Sequence, residues 1–233
     1  ISYYDNDGYL PDGTCDCDGQ LFDLCLQCGG NNTCIPKLLS YTSNNIISLY
    51  QPEIVLEFSI DMDESSLNNI LLSSDLNNQS GFSVDYSNNI ATLTLNNPIS
   101  QDYLTFTIPS SLVSSFDGYT MDFDGSENIE LSYSIQTLGD FNNDLAIDIN
   151  DLNFFLFGWA NDNTLFEVGP FSGNVPNLIP NFDLEFNLQD IVAFIYMWDW
   201  SSANTSIVSM NSFNIGLQPN IYIDGNIIKM DLS

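Results

Sequence analysis

Apolar and polar residues alternate in four short runs, at residues 54–60, 90–95, 104–108 and 129–135. A period of two is the signature of half-buried strands, and these runs are too short for helices. Asn pairs at 44–45, 77–78, 88–89 and 96–97 punctuate the runs, and Asn tolerates the left-handed conformation that tight turns need. A single helical turn is predicted over 66–72. About a hundred residues of strands at this spacing predict a β-sandwich. Beyond residue 138 the period changes to helical: Leu152, Phe155, Leu156 and Trp159 share one face, as do Ile191, Phe194, Ile195 and Trp198. Residues 206–210 and 220–230 again read as strands, with Asp224-Gly225 as a hairpin turn. The expected fold is mainly β: a sandwich over 37–137, a small α-helical module over 138–202 and a C-terminal β-hairpin within 203–233. Residues 1–36 show neither period.

The helical module contains a duplication. Ile149, Leu152, Phe155, Leu156 and Trp159 recur 39 positions later as Leu188, Ile191, Phe194, Ile195 and Trp198. The polar positions recur with them. In the first copy Asp140, Asn142, Asp144, Asp148 and Asp151 stand at positions 1, 3, 5, 9 and 12 of a twelve-residue loop. That spacing lets side-chain oxygens in a tight coil converge on one point, with the Ala146 carbonyl filling position 7. These residue types suit Ca²⁺, a hard cation that takes oxygen ligands. The corresponding second set is Asn181, Asp183, Glu185, Asn187 and Asp190, with Glu185 at the carbonyl position. Here Ile179 replaces Asp140, so the second loop is expected to lack a ligand and to bind weakly or not at all. Leu145 occupies position 6, where the sharp turn usually takes Gly.

Charge changes the picture further. The 233 residues carry 31 acidic side chains against 2 basic ones, Lys37 and Lys229, for a formal net charge of -29. Such a field repels nucleic acid and anionic membranes, and it destabilises the compact chain unless cations neutralise it. No stretch has the length of a membrane-spanning helix, so membrane insertion is not expected. His is absent, which removes the commonest general base and every Ser-His or Cys-His pair. No catalytic residue is therefore assigned. The chain starts at Ile and reads as an exported product whose signal is already gone.

Cys15, Cys17, Cys25, Cys28 and Cys34 crowd a segment rich in Asp and Gly. Disulfides in an oxidising compartment are one reading, and a zinc site built on Cys25-x-x-Cys28 is the other. Pairing does not follow from spacing, and an odd count leaves one thiol over. Two further acidic groups stand out. Asp61, Asp63 and Glu64 read as a solvated loop, while Asp117, Asp122, Asp124 and Glu127 are a further candidate group for Ca²⁺ that fits no complete loop template. Sequons begin at Asn31, Asn78 and Asn204.

The run from Cys15 to Cys34 resembles the thrombospondin type 3-like modules that separate domains of bacterial surface proteins, which implies a cross-linked spacer. The strand order around residues 58–63, with Asp117-Gly-Tyr before the last strand, resembles bacterial Ig-like domains of surface-layer proteins. The opening Gly139-Asp-Phe-Asn142, with Asp rather than Glu at position 12, resembles dockerins, paired calcium-binding units that dock onto cohesins. Phe154, Phe157, Tyr196, Met197 and Trp200 make these helices more apolar than a free-standing pair tolerates in water, so the module is expected to pack against the sandwich or a neighbouring chain. The expectation is a secreted, calcium-binding structural protein of the cell surface that self-associates into a filament or layer. The alternatives are a module binding a cohesin-like partner and a non-catalytic fragment of a carbohydrate-active enzyme.

Overall fold

A computed structural model describes residues 10, 14–15, 18–76, 81–122, 125–204, 220–224 and 227–231, the last two spans as strands. Cys17, Asn77, Asn78, Asp124, residues 206–210 and Gly225 lie outside the described residues.

The fold is mainly β, with largely antiparallel sheets and few helices. In chain order the first elements are β1 (Leu38–Tyr41), β2 (Ile46–Ile47), β3 (Glu53–Phe58), α1 (Glu64–Leu67) and β4 (Leu71–Ser74). They are followed by β5 (Phe82–Ser87), β6 (Ile90–Leu95), β7 (Tyr103–Ile108) and β8 (Ile129–Ile135). Two four-stranded sheets result, ordered β1-β3-β6-β5 and β2-β8-β7-β4. All neighbours are antiparallel except β2 with β8. Alternation decides which faces meet. Ile54, Leu56 and Phe58 of β3 and Ala91, Leu93 and Leu95 of β6 point inward, towards Leu104, Phe106 and Ile108 of β7 and Leu131, Tyr133 and Ile135 of β8. Asn88 and Asn89 turn β5 into β6 with φ of 51° and 65°, the paired positive angles that match the twist of a hairpin.

The helical turn falls at α1, slightly earlier than predicted. Asp63 caps it by accepting from the Ser65 N–H, and Leu71, placed in that turn by its apolar spacing, begins β4 instead. Asp61 accepts from the Tyr86 hydroxyl. Those two carboxylates therefore serve a cap and a side-chain bond.

After β8 come α2 (Ile149–Asn161), a 3-10 turn (Thr164–Phe166), β9 (Phe171–Asn174), β10 (Asn177–Pro180) and α3 (Leu188–Asn204). The β9–β10 hairpin, invisible to the periodicity, lies between the two helices. The apolar faces of α2 and α3 meet through Phe155 and Phe194, whose rings stack at 4.8 Å. These helices do not form a separate core. Leu138, Ile147, Phe155, Leu178, Phe194 and Met197 are buried in the same cluster as the inward residues of the sheets. Met197 and Trp200 are among the residues packed there, whereas Phe154, Phe157 and Tyr196 stay substantially exposed. Finally β11 (Asn220–Asp224) and β12 (Ile227–Asp231) form a two-stranded antiparallel sheet.

The N-terminal segment holds two overlapping disulfides, Cys15–Cys28 and Cys25–Cys34. The zinc reading of Cys25-x-x-Cys28 fails, because each of those sulfurs is bonded to a different partner. No helix among the described residues is long and apolar enough to cross a membrane.

Phe106 is almost wholly buried between the sheets, edge-on to Phe82 and Tyr133. Phe106→Ala is expected to destabilise the fold by ~3–5 kcal/mol. The loss would be read as a lowered midpoint in urea unfolding.

Candidate metal centre

The first loop coils as its spacing predicts because its carboxylates are consumed by its own backbone. Asp140 accepts from the Asp144 N–H at 3.2 Å and the Leu145 N–H at 3.0 Å. Asp144 accepts from the Ala146 N–H, and Asn142 both accepts from the Asp144 N–H and donates to the Asp144 carboxylate. Asp151, at the third position of α2, accepts from the Phe141 N–H at 2.8 Å and the Asp148 N–H at 3.0 Å. Asp148 caps the same helix, so the two acids form a reciprocal capping box at its positive end.

The outcome is that Asp140, Asp144 and Asp151 each bring one oxygen within 4.8 Å of the others. Asp140 is 2% exposed and Asp151 fully buried, while Asp144 opens to solvent. Burial pushes the carboxyls of Asp140 and Asp151 above their ordinary range, against the pull of the backbone N–H groups, and the neighbouring charges push them further. Asn142 adjoins this trio through Asp144. Asp148 is turned to its cap, accepting from the Asn150 N–H. Ala146 stands between Asp144 and the buried Ile147, which the Ser201 hydroxyl holds from α3.

Leu145 adopts the left-handed conformation with φ of 72°, and Leu184, its counterpart, has φ of 65°. The turn that usually takes Gly is therefore made here by leucine twice, at the strain such a residue carries.

The second loop departs from the fixed 39-residue register in an informative way. Asp190, the counterpart of Asp151, is fully buried and accepts from the Asn187 N–H, as Asp151 does from Asp148. Its other oxygen cannot receive the residue matching Phe141, because that residue is Pro180 and has no N–H. It accepts instead from the N–H groups of Val168 at 3.1 Å and Gly169 at 2.9 Å. The neighbouring Glu167 accepts from the N–H groups of Asp183 and Leu184, counterparts of the two groups that Asp140 receives. Glu167 and Val168 thus occupy the places of Asp140 and Phe141, 27 positions after them, while Asn181 lies 39 after Asn142. Residues 169–180, which contain the β9–β10 hairpin, are an insertion between the second and third positions of the loop. The expected ligand gap at Ile179 is therefore a misregister: Ile179 belongs to the inserted hairpin.

Gly169 is required at this seam. A Cβ there would stand 2.9 Å from the carbonyl of Gln189 and 3.0 Å from the N–H nitrogen of Asp190, a backbone that cannot give way.

Glu167 is fully buried, and burial raises its carboxyl to about 7; the Asp183 carboxyl and the Asp190 charge add to the rise, while the backbone donors oppose it. Asp183 is exposed and accepts from the Glu185 N–H, and Asn187 accepts from the Gln189 N–H at the start of α3. Among the described residues no second trio of carboxylates converges to the span seen in the first loop. Asp117, Asp122 and Glu127 likewise form no such group, and Asp122 accepts from the Thr120 hydroxyl.

The donor set fits a hard divalent cation. All the groups are oxygen, no imidazole exists in the chain, and four of the five thiols are tied in disulfides. Sequence reasoning missed Glu167 because it sought a contiguous loop. The signal available was an acid followed by an apolar residue, the order of Asp140-Phe141, next to a Gly-Pro break.

No family model and no curated protein matches the chain. Among solved structures it is similar to alpha-2-macroglobulin of E. coli in its native conformation, at 15% identity and a TM-score of 0.33. That match covers 55% of this chain and 10% of the other, and likeness at this level carries no conclusion on fold or function.

In chelator, the raised carboxyls fix the direction of the pH response. Glu167 binds its proton more tightly folded than at its ordinary value of 4.5, so the folded state holds more protons between that value and about 7. Stability is expected to fall as pH rises through this window, with Asp140 and Asp151, whose carboxyls are also raised, contributing in the same sense. Urea midpoints across pH 4–8 in EDTA would check the slope.

Proposed function

We propose that the protein is an extracellular, calcium-binding structural protein: an Ig-like sandwich braced by a dockerin-like pair of calcium loops. The observation that carries this reading is the burial of Asp140 and Asp151 with Asp144 at hand and no basic residue in the loop. Buried like charges need either protons or a cation, and at neutral pH a divalent ion held by oxygen offsets the repulsion. Asp140, Asn142, Asp144 and Asp151 hold the first ion, with the Ala146 carbonyl, and Asp148 through water. Glu167, Asn181, Asp183 and Asp190, with the Glu185 carbonyl and Asn187, serve the second, looser loop. The disulfides suit an oxidising exterior. The role is bracing and binding, not catalysis.

Assembly into a filament or layer accords with the strands β11 and β12, which pair only with each other among the described strands. An isolated two-stranded hairpin is marginal, and a strand from a second copy would complete it. Purified protein is expected to form ordered polymers in millimolar calcium, visible by electron microscopy and loosened by EDTA; monodisperse monomers would count against assembly.

A second reading, docking onto a cohesin-like partner, is favoured by one specific observation. Both repeats leave matching apolar residues exposed: Leu145 with Leu184 (78% and 70%), Ile149 with Leu188, Leu156 with Ile195, and Phe157 with Tyr196. Leu156→Ser with Ile195→Ser, on the helices outside both loops, is expected to abolish such docking in a calorimetric titration while leaving calcium binding intact.

Calcium itself is tested directly. At a hundred times its dissociation constant each ion is expected to add ~2.7 kcal/mol of stability. Asp144→Asn should remove the first site and Glu167→Gln the second, each reducing two bound ions to one by calorimetry. No calcium-dependent rise in the unfolding temperature of the unsubstituted chain would overturn the proposal.

A further inference from the structure

The second loop is built from two pieces of chain, residues 167–168 and 181–190, separated by an inserted hairpin. Something must hold these pieces in register, and the first loop, being contiguous, has no such need. Two devices within the module contribute. Asp190 receives the N–H groups of Val168 and Gly169, and the Asn181 N–H donates to the Pro170 carbonyl at 2.7 Å.

A third comes from the sandwich. Tyr50, between β2 and β3, donates its hydroxyl to the backbone carbonyl of Glu167 at 2.9 Å, gripping the first piece. Its ring stacks on Phe182 of the second piece, with centroids 4.8 Å apart. One side chain therefore spans the seam. Its contact with the first loop is looser, a ring separation of 6.4 Å from Phe141, and it makes no hydrogen bond there.

The hairpin is anchored to the same end of the sandwich. The Leu178 carbonyl accepts from the Ser100 N–H, the Asn177 amide donates to the Ser100 carbonyl, and Leu178 is buried in the shared core. The sandwich thus holds both the seam and the insertion that creates it. By contrast it reaches the first loop through Gln136, whose amide donates to the Asp140 carbonyl at 2.7 Å.

From this geometry we infer that Tyr50 is a positioning residue for the second calcium loop, through which the sandwich sets that loop's affinity selectively. Tyr50 is no ligand; it acts by holding together the two pieces that carry Glu167 and Asp183, which are joined by the Asp183 N–H to the Glu167 carboxylate. The inference rests on the calcium reading above. Linkage makes the effect reciprocal: if the docked sandwich tightens the second site, an ion in that site tightens the docking by the same factor.

The test uses the full chain in two backgrounds, each retaining one site. In Asp144→Asn, where the second loop alone binds, Tyr50→Leu is expected to weaken calcium binding at least tenfold in calorimetry. Tyr50→Phe, which keeps the ring and loses the hydroxyl, is expected to recover part of that loss. In Glu167→Gln, where the first loop alone binds, Tyr50→Leu should change affinity by less than twofold. Measurements are made well below the melting temperature of each variant, so that a general loss of stability does not enter the affinity. Equal weakening in both backgrounds, or none in either, overturns the inference alone. Absence of calcium binding by the unsubstituted chain overturns the calcium reading and this inference with it.

Discussion

The organising constraint is the burial of negative charge in a chain that has almost no positive charge to meet it. Asp140, Asp151, Glu167 and Asp190 lie inside the helical half, and the two lysines of the sequence are at positions 37 and 229. Ion pairs are therefore not the remedy. The carboxylates are met by backbone N–H groups from their own loops, and Asp151 and Asp190 also stand at helix N-termini, where the aligned peptide dipoles favour negative charge. Those bonds coil the loops, fix where α2 and α3 begin and so determine how Phe155 meets Phe194. Burial, with the remaining repulsion added to it, holds the carboxyls of Asp140, Asp151 and Glu167 above their usual range.

The helical pair is joined to the sheets by one continuous cluster of buried apolar residues. Leu138, just before the first loop, and Ile147, within it, pack in the same cluster as Leu104 and Tyr133. Such continuity means that the loops and the sandwich resist unfolding together, and it explains how helices this apolar are accommodated. Some of their aromatic surface is covered from within: the Phe166 ring stacks on Phe154 and meets the edge of Phe157.

Much of this was legible in the sequence, and the reason differs by element. β3, β6, β7 and β8 were clear because each has one buried and one exposed face, which writes a period of two into the chain. The helices were clear from their repeated apolar spacing, and the first loop from the interval between its acids. β4 and the β9–β10 hairpin were not. β4 is short, with one face exposed and the other only half-buried, and β9 contains Gly and polar residues whose exposure leaves no alternation to read. Glu167 was hidden for a different reason. Its role depends on a contact between chain segments, and a constant repeat interval forces attention onto Ile179. The disulfide pairing was equally beyond spacing, since five cysteines within twenty positions allow many pairings.

The inserted hairpin says something about what such an acidic loop is. The piece ending at Val168 and the piece starting at Asn181 are hydrogen-bonded together although twelve residues intervene, so the loop is preserved as an arrangement in space even though it is broken as a stretch of chain. The bond between its second and third positions is a place where chain can leave and return. In the first loop the same bond joins Phe141 to Asn142 and carries nothing. It marks a graft point, where new sequence can be spliced beside an intact coil of carboxylates, and where the second copy carries an arm that the first lacks.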